Sequence, residues 1–199
     1  MTFEGTEGSG KSTALEAIAE RLRSAGRAVV TTREPGAGEF GKAIREILLY
    51  GGELDPRAEL FLFLADRAQH CADVVRPALA DGEIVLCDRY IDSTVAYQGH
   101  ARGLDIKEIR ELNNSATVGL KPDLTLLFDL DVVIGLRRLK DQDRLDKEPL
   151  EFHQRVREGY LKEMENDPAR WVKIDASQPA DAVVEQCWEA LSSSPAFLG

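Results

Sequence analysis

A chain of 199 residues, 43% hydrophobic and 30% charged, is long enough to bury a core and has the make-up of one soluble globular domain. Its net charge of −10 argues against a broad nucleic-acid or membrane surface, so any bound anion must meet a local cluster of Arg and Lys. No apolar run is long enough for a membrane span and the first residues carry no basic leader, which makes the cytoplasm the expected location. Cys71, Cys87 and Cys187 are far apart and lack CxxC neighbours, so they read as reduced, buried thiols.

In chain order, Met1 to Glu4 reads as a short first strand running into a glycine-rich loop. Leu15, Ile18, Ala19 and Leu22 follow at helical spacing, and Gly26 closes that helix. "AVVTT" (28–32) is a second strand, and Phe40, Ile44, Ile47 and Leu48 mark a helix ended by Gly51-Gly52. Asp55-Pro56 is a good cap and first position for a long third helix, apolar on more than one face around Leu60 to Leu64. Such a helix belongs to the core or to a subunit contact. "EIVLCDRY" (83–90), "DLTLLFDL" (123–130) and "WVKIDA" (171–176) are buried-type strands. Ile109, Leu112 and Ala116 support a helix between the first two, and Val183, Val184 and Trp188 a terminal one. The alternation predicts an α/β fold with a central parallel five-stranded sheet flanked by helices, as one domain over 1–199. The charged stretch around 137–150 reads as a solvated connection or as a mobile lid over a phosphate site.

The chemistry starts at "GTEGSGKS" (5–12), a strand-to-helix loop of the G-x-x-x-x-G-K-[ST] type. Gly5, Gly8 and Gly10 let the backbone approach phosphates closely, and the helix N-terminus adds partial positive charge. Lys11 is expected on the terminal phosphates and Ser12 on Mg²⁺, the expected cofactor. Thr6, Ser9 and Thr13 complete the expected triphosphate cradle. Asp88, at the C-terminal end of a strand, suits the same metal, and Arg89 next to it could clamp two phosphates. Glu7 is the anomaly, because a carboxylate inside an anion cradle is costly unless it turns away and finds a donor. Phe63 and Arg67, four apart on one helix face, fit a stacked base or simply a core ring beside a surface cation. His70, His100 and His153 lack a nucleophile partner and receive no role.

Together, "TFEGTEGSGKST", "TREPG", "LFLADRAQH", "CDRYIDSTVAYQG", "KPDLTLLFDL" and "DRLDKEPLEFHQRVREGY" resemble thymidylate kinases of the nucleoside monophosphate kinase group. The resemblance runs in order along nearly the whole chain. It implies a three-layer P-loop kinase fold, transfer of the γ-phosphoryl group of ATP to dTMP, and a homodimer formed through the 56–80 helix region. By that resemblance Phe63 stacks on thymine, Arg67 bonds a base carbonyl, and Thr94 and Gln98 line the base pocket. Tyr97 packs beneath the sugar, and Glu7 reaches the deoxyribose 3′-OH as part of the dTMP site. Arg33 and Arg45 are acceptor-site cations, and Arg89 bridges donor and acceptor phosphates. Arg144 is the lid cation expected over the phosphates, ahead of Arg137 and Arg138. The chain departs from common family patterns at Gly8, Ala37 and Asp146. Some relatives carry a catalytic Arg where this chain has Gly8, which puts the burden on the lid. The glycine loop alone also fits a P-loop kinase of another nucleoside or nucleotide, or an ATPase switch with no small acceptor.

Overall fold

Strands Thr2–Glu4 (β1), Val29–Arg33 (β2), Ile84–Asp88 (β3), Thr125–Asp129 (β4) and Trp171–Asp175 (β5) form one sheet in the order β2-β3-β1-β4-β5. Every neighbouring pair is parallel. The computed structural model describes residues 1–198. All five predicted strands are present; β2 is shifted by one residue from its predicted run and the other four are slightly shorter than theirs. The third stops at Asp88 because Arg89 takes a left-handed φ of 70°, which turns the chain out of the sheet.

The helices are Lys11–Ser24 (α1), Gly38–Tyr50 (α2), Pro56–His70 (α3), Arg76–Ala80 (α4), Ile91–Thr94 (α5), Ile106–Thr117 (α6), Val132–Arg137 (α7), Leu150–Asn166 (α8), Ala180–Ser192 (α9) and Pro195–Leu198 (α10). Asp55 caps α3 by accepting from Arg57 N–H at 2.9 Å, with Pro56 at its first position, as the sequence predicts. Wide π-type turns continue α3 into α4 over Cys71–Val75, and α5 onward over Val95–Ala101.

Strand alternation makes the three layers. Leu126 and Phe128 of β4 join Phe3, Ile18, Leu22, Ile174 and Cys187 in a core under α1 and α9. Leu127, between them, packs with Phe152, Val156 and Tyr160 of α8 on the other face. With both faces covered, the strands are apolar throughout rather than alternating. The three cysteines are buried and free. The Glu34–Pro35 peptide is cis. The C-terminal ends of β1, β2 and β3 converge, Arg33 in register with Asp88 and Asp88 with Phe3, and there the crevice opens.

Candidate active site

The glycine loop leaves β1 and enters α1 through Gly10, whose φ is 88°. Gly8 has φ 66°, and a Cβ there would lie 2.0 Å from the Gly135 carbonyl of α7. No larger side chain fits, so the loop cannot carry its own arginine at that position. Lys11 folds back over the loop, donating to Thr6 O at 2.8 Å and Ser9 Oγ at 3.3 Å. Burial, and then Arg89, lower its ammonium from 10.5 to about 8. Ser12 Oγ donates to Asp88 Oδ2 at 2.6 Å, which joins a hydroxyl and a carboxylate at one point beside the loop. Two hard oxygen donors next to a phosphate cradle suit Mg²⁺, which is usually held by one or two carboxylates together with substrate phosphates.

Glu7 does turn away. Its Oε1 accepts from Arg89 Nη2 at 3.0 Å and from the Tyr97 hydroxyl. Burial would raise its pKa, but His153, Arg89, Lys11 and Tyr97 outweigh that and hold the carboxyl well below the usual range. Arg89 also donates through Nη1 to Gly5 O at 3.1 Å and to Tyr160 Oη at 3.1 Å. Its strained backbone is fixed by its own N–H on Phe3 O and by Tyr90 N–H donating to Glu4 Oε1 at 2.7 Å. The buried Glu4 carboxyl is thus a support for Arg89 that no local sequence pattern singles out.

Next to Glu7 lies a cavity of ≈ 270 Å³. Arg33, Arg45, Phe63, Thr94, Tyr97 and Gln98 line it together with Glu7, Lys11, Ser12, Asp88 and Arg89, so the expected acceptor residues and metal ligands do converge. Burial and the like charge of Arg33 lower the pKa of Arg45. Cations gathered this closely suit an anion. At the other end the ring of Phe63 packs with Leu145 and Leu49.

Two expected residues lie elsewhere. Arg67 is 1% exposed and stands behind the cavity wall, bonded to Glu34, Thr94, Asn113 and the Tyr90 carbonyl. Four of its five N–H groups are therefore engaged within the protein. Arg144 does not border the cavity. Its Nη2 donates to Glu59 Oε2 at 2.6 Å and its Nε to Leu48 O at 2.8 Å, because the buried Glu59 carboxylate draws it against α2 and α3. The lid cation that touches the loop is Arg138, which donates to Gly8 O at 3.2 Å. Thr13, with Ser9, Gly10 and Arg138, borders a separate groove toward Gln178.

His153, given no role from sequence, sits fully buried with Nδ1 3.5 Å from Glu7 Oε2, an ion-pair distance too long for a good hydrogen bond. Burial pulls its pKa down, but the Glu7 carboxylate more than offsets this and raises it. Only the fold could reveal this partner, since 146 positions separate the two in "GTEGSGKS" and "EFHQRV" (153 − 7).

Residues 3–187 match the family model described as thymidylate kinase. The chain is 51% identical over 205 residues to the thymidylate kinase of Desulfovibrio desulfuricans, covering 97% of this chain and 94% of that protein. It is 53% identical over 184 residues to the thymidylate kinase of Pseudomonas fluorescens, covering 90% and 88%. Among solved structures, thymidylate kinase from Ehrlichia chaffeensis superposes with a TM-score of 0.78 at 34% identity, covering 94% of this chain and 95% of that one.

Proposed function

Because the chain belongs to the thymidylate kinase family and transfers the γ-phosphoryl group of ATP to dTMP, we propose a division of that work among its residues. The glycine loop from Gly5 to Thr13 holds ATP, with Lys11 on its terminal phosphates. Ser12 and Asp88 would hold Mg²⁺, which when bound neutralises phosphate charge. Arg33 and Arg45 receive the phosphate of dTMP, Phe63 stacks on thymine, and Thr94 and Gln98 meet the base edge. Tyr97 lies under the sugar and Glu7 accepts from its 3′-OH.

The observation that carries this reading is Glu7. It turns from the anion cradle and meets Arg89 and Tyr97 at the wall of the cavity that Phe63, Thr94 and Gln98 also line. A phosphate monoester is already anionic near neutral pH, so transfer needs no strong general base. Catalysis rests on alignment and on cations around the transferring group. Arg89 and Lys11 supply two, and the lid around 137–150 supplies a third. The contact of Arg138 with Gly8 O supports Arg138 in that role, while Arg144 anchors the lid to α3.

Coupled ADP release with dTMP, dUMP, dCMP and dGMP as acceptors tests the reading. dTMP is expected to give the highest kcat/KM, and a purine acceptor that equals it would overturn the base-site assignment.

A homodimer through α3 and the adjoining α2 belongs to the same proposal. Phe61 is 51% exposed and Tyr50 65% exposed on these helices, leaving rings for a partner surface. Light scattering at micromolar concentration is expected to give twice the chain mass; a single-chain mass contradicts it. No helix among the described residues is long and apolar enough to cross a membrane.

A further inference from the structure

Two uncharged side chains on the cavity wall have charged partners behind them, and those partners fix which way each can hydrogen-bond. Thr94 Oγ1 accepts from Arg67 Nη1 at 2.7 Å. A guanidinium can only donate, so the hydroxyl hydrogen of Thr94 remains available to an acceptor. Gln98 is the mirror case. Its Nε2 donates to Glu59 Oε1 at 2.7 Å, and an ionised carboxylate can only accept. The amide nitrogen must therefore face Glu59, which leaves the amide oxygen for the cavity that Gln98 lines.

Glu59 is 0% exposed and does not border the cavity. Arg102 donates to it at 3.1 Å and Arg144 at 2.6 Å. Burial pushes its carboxyl upward, but the bonds from Arg102, Gln98 and Arg144 prevail and keep it below the usual carboxylate range. Arg102 in turn pairs with Glu148 of the lid at 2.6 Å, which completes a cluster of two carboxylates and two guanidiniums. Flipping the Gln98 amide would set its oxygen against the Glu59 oxygen, two acceptors with no hydrogen between them.

We propose that Glu59 is a specificity-determining residue acting through Gln98, holding its amide so that the cavity offers an oxygen acceptor beside the Thr94 donor. That pattern complements a pyrimidine with an N3–H donor and a C4 carbonyl. It opposes one with a bare N3 and a C4 amino group, whose donor and acceptor are reversed. The inference rests on the reading of Phe63, Thr94 and Gln98 as the base site.

The test is calorimetric binding of dTMP, dUMP and dCMP to the full chain and its variants. Glu59→Gln frees the amide to present either end, and the dTMP:dCMP ratio of Kd values is expected to narrow about tenfold, one hydrogen bond's worth of discrimination. The dTMP:dUMP ratio is expected to hold within about twofold, because those two share the same edge. A merely structural role would move both ratios together. Gln98→Met is expected to narrow the dTMP:dCMP ratio as well, and adding Glu59→Gln to it should narrow the ratio no further.

If Glu59→Gln leaves both ratios in place, shifts both alike, or adds to the effect of Gln98→Met, the inference is overturned while the base site stands. If Gln98→Met leaves the dTMP:dCMP ratio intact, the base-site reading fails and takes the inference with it. Should Glu59→Gln not fold, nuclear Overhauser contacts in the wild-type complex decide. Gln98 amide protons without contact to bound thymine support the inference, and a contact between them and the base overturns it.

Discussion

The two ends of the acceptor cavity are built on opposite plans. At the phosphate end cations crowd together with Glu7 and Asp88 between them, and like charge still tells: burial and Arg89 lower Lys11 to about 8, and burial and Arg33 lower Arg45. At the base end every charge is answered. Arg67 engages Glu34, Thr94, Asn113 and a carbonyl, and Glu59 accepts from Gln98, Arg102 and Arg144. An anion entering the first end relieves repulsion that is already there, so binding and charge neutralisation come together. The second end gains nothing from a charge, but its hydrogen bonds can point only one way. On the proposed assignment, turnover is the business of the first and selection of the second.

The contrast breaks most severely at Arg89. Arg89→Ala removes the cation and its bonds to Glu7, Gly5 and Tyr160, and kcat is expected to fall about 10³-fold. The dTMP:dCMP preference should move far less, and a loss of preference as large as the loss of kcat would erase the distinction between the ends.

The lid sharpens the same contrast, because Arg138 belongs to one end and Arg144 to the other. Arg138→Ala, at an exposed residue, is expected to lower kcat between about tenfold and a hundredfold with the Tm unmoved. Arg144→Ala takes a donor from a buried carboxylate and is expected to cost about 2 kcal/mol, or about 5 °C in Tm, with the smaller loss of kcat. Thermal melts and steady-state kinetics on the two variants check both halves; a reversed pattern would return Arg144 to the phosphates.

The smallest effect is a fraction of a proton. Lys11, lowered to about 8, is partly neutral at pH 8.5, and a bound triphosphate restores its charge. ATP binding is therefore expected to take up protons at pH 8.5 and almost none at pH 7, read by calorimetry in buffers of different ionisation enthalpy. No uptake at pH 8.5 would mean that Lys11 keeps its full charge before ATP binds. For stability the sign follows from the unfolded chain holding this proton up to its ordinary value of 10.5. Between about 8 and 10.5 the unfolded state binds more protons, so the cost of burying the ammonium is relieved as pH rises.

The sheet and the phosphate end were largely legible in the residues, because their signals are local. Runs such as "IVLC" and the spacing of Gly5, Gly10, Lys11 and Ser12 carry their own geometry. The helix over Ile91–Ala101 had no such signal. Val95, Ala96, Tyr97, Gln98 and Gly99 are all buried, so no polar face marks a period, and the π-type turns break the usual spacing. The base end depends on pairs far apart in the chain. Nothing near "DQDRLD" shows that Arg144 will meet Glu59, 85 positions earlier, rather than a phosphate. Arg67 likewise looks like a direct base ligand until Glu34 and Asn113 are seen to hold it behind the wall. His153 shows no role in its own stretch for the same reason, because the Glu7 carboxylate it faces lies at the other end of the chain.

Glu7 joins the two ends, and its allegiance is the central claim. Steady-state kinetics of Glu7→Gln, with each substrate varied against saturating partner, test it most directly. KM for dTMP is predicted to rise about tenfold, the loss of a charge-assisted hydrogen bond, with KM for ATP within about twofold of wild type. A rise in KM for ATP with KM for dTMP unchanged would put Glu7 back among the donor phosphates and contradict the division of the site.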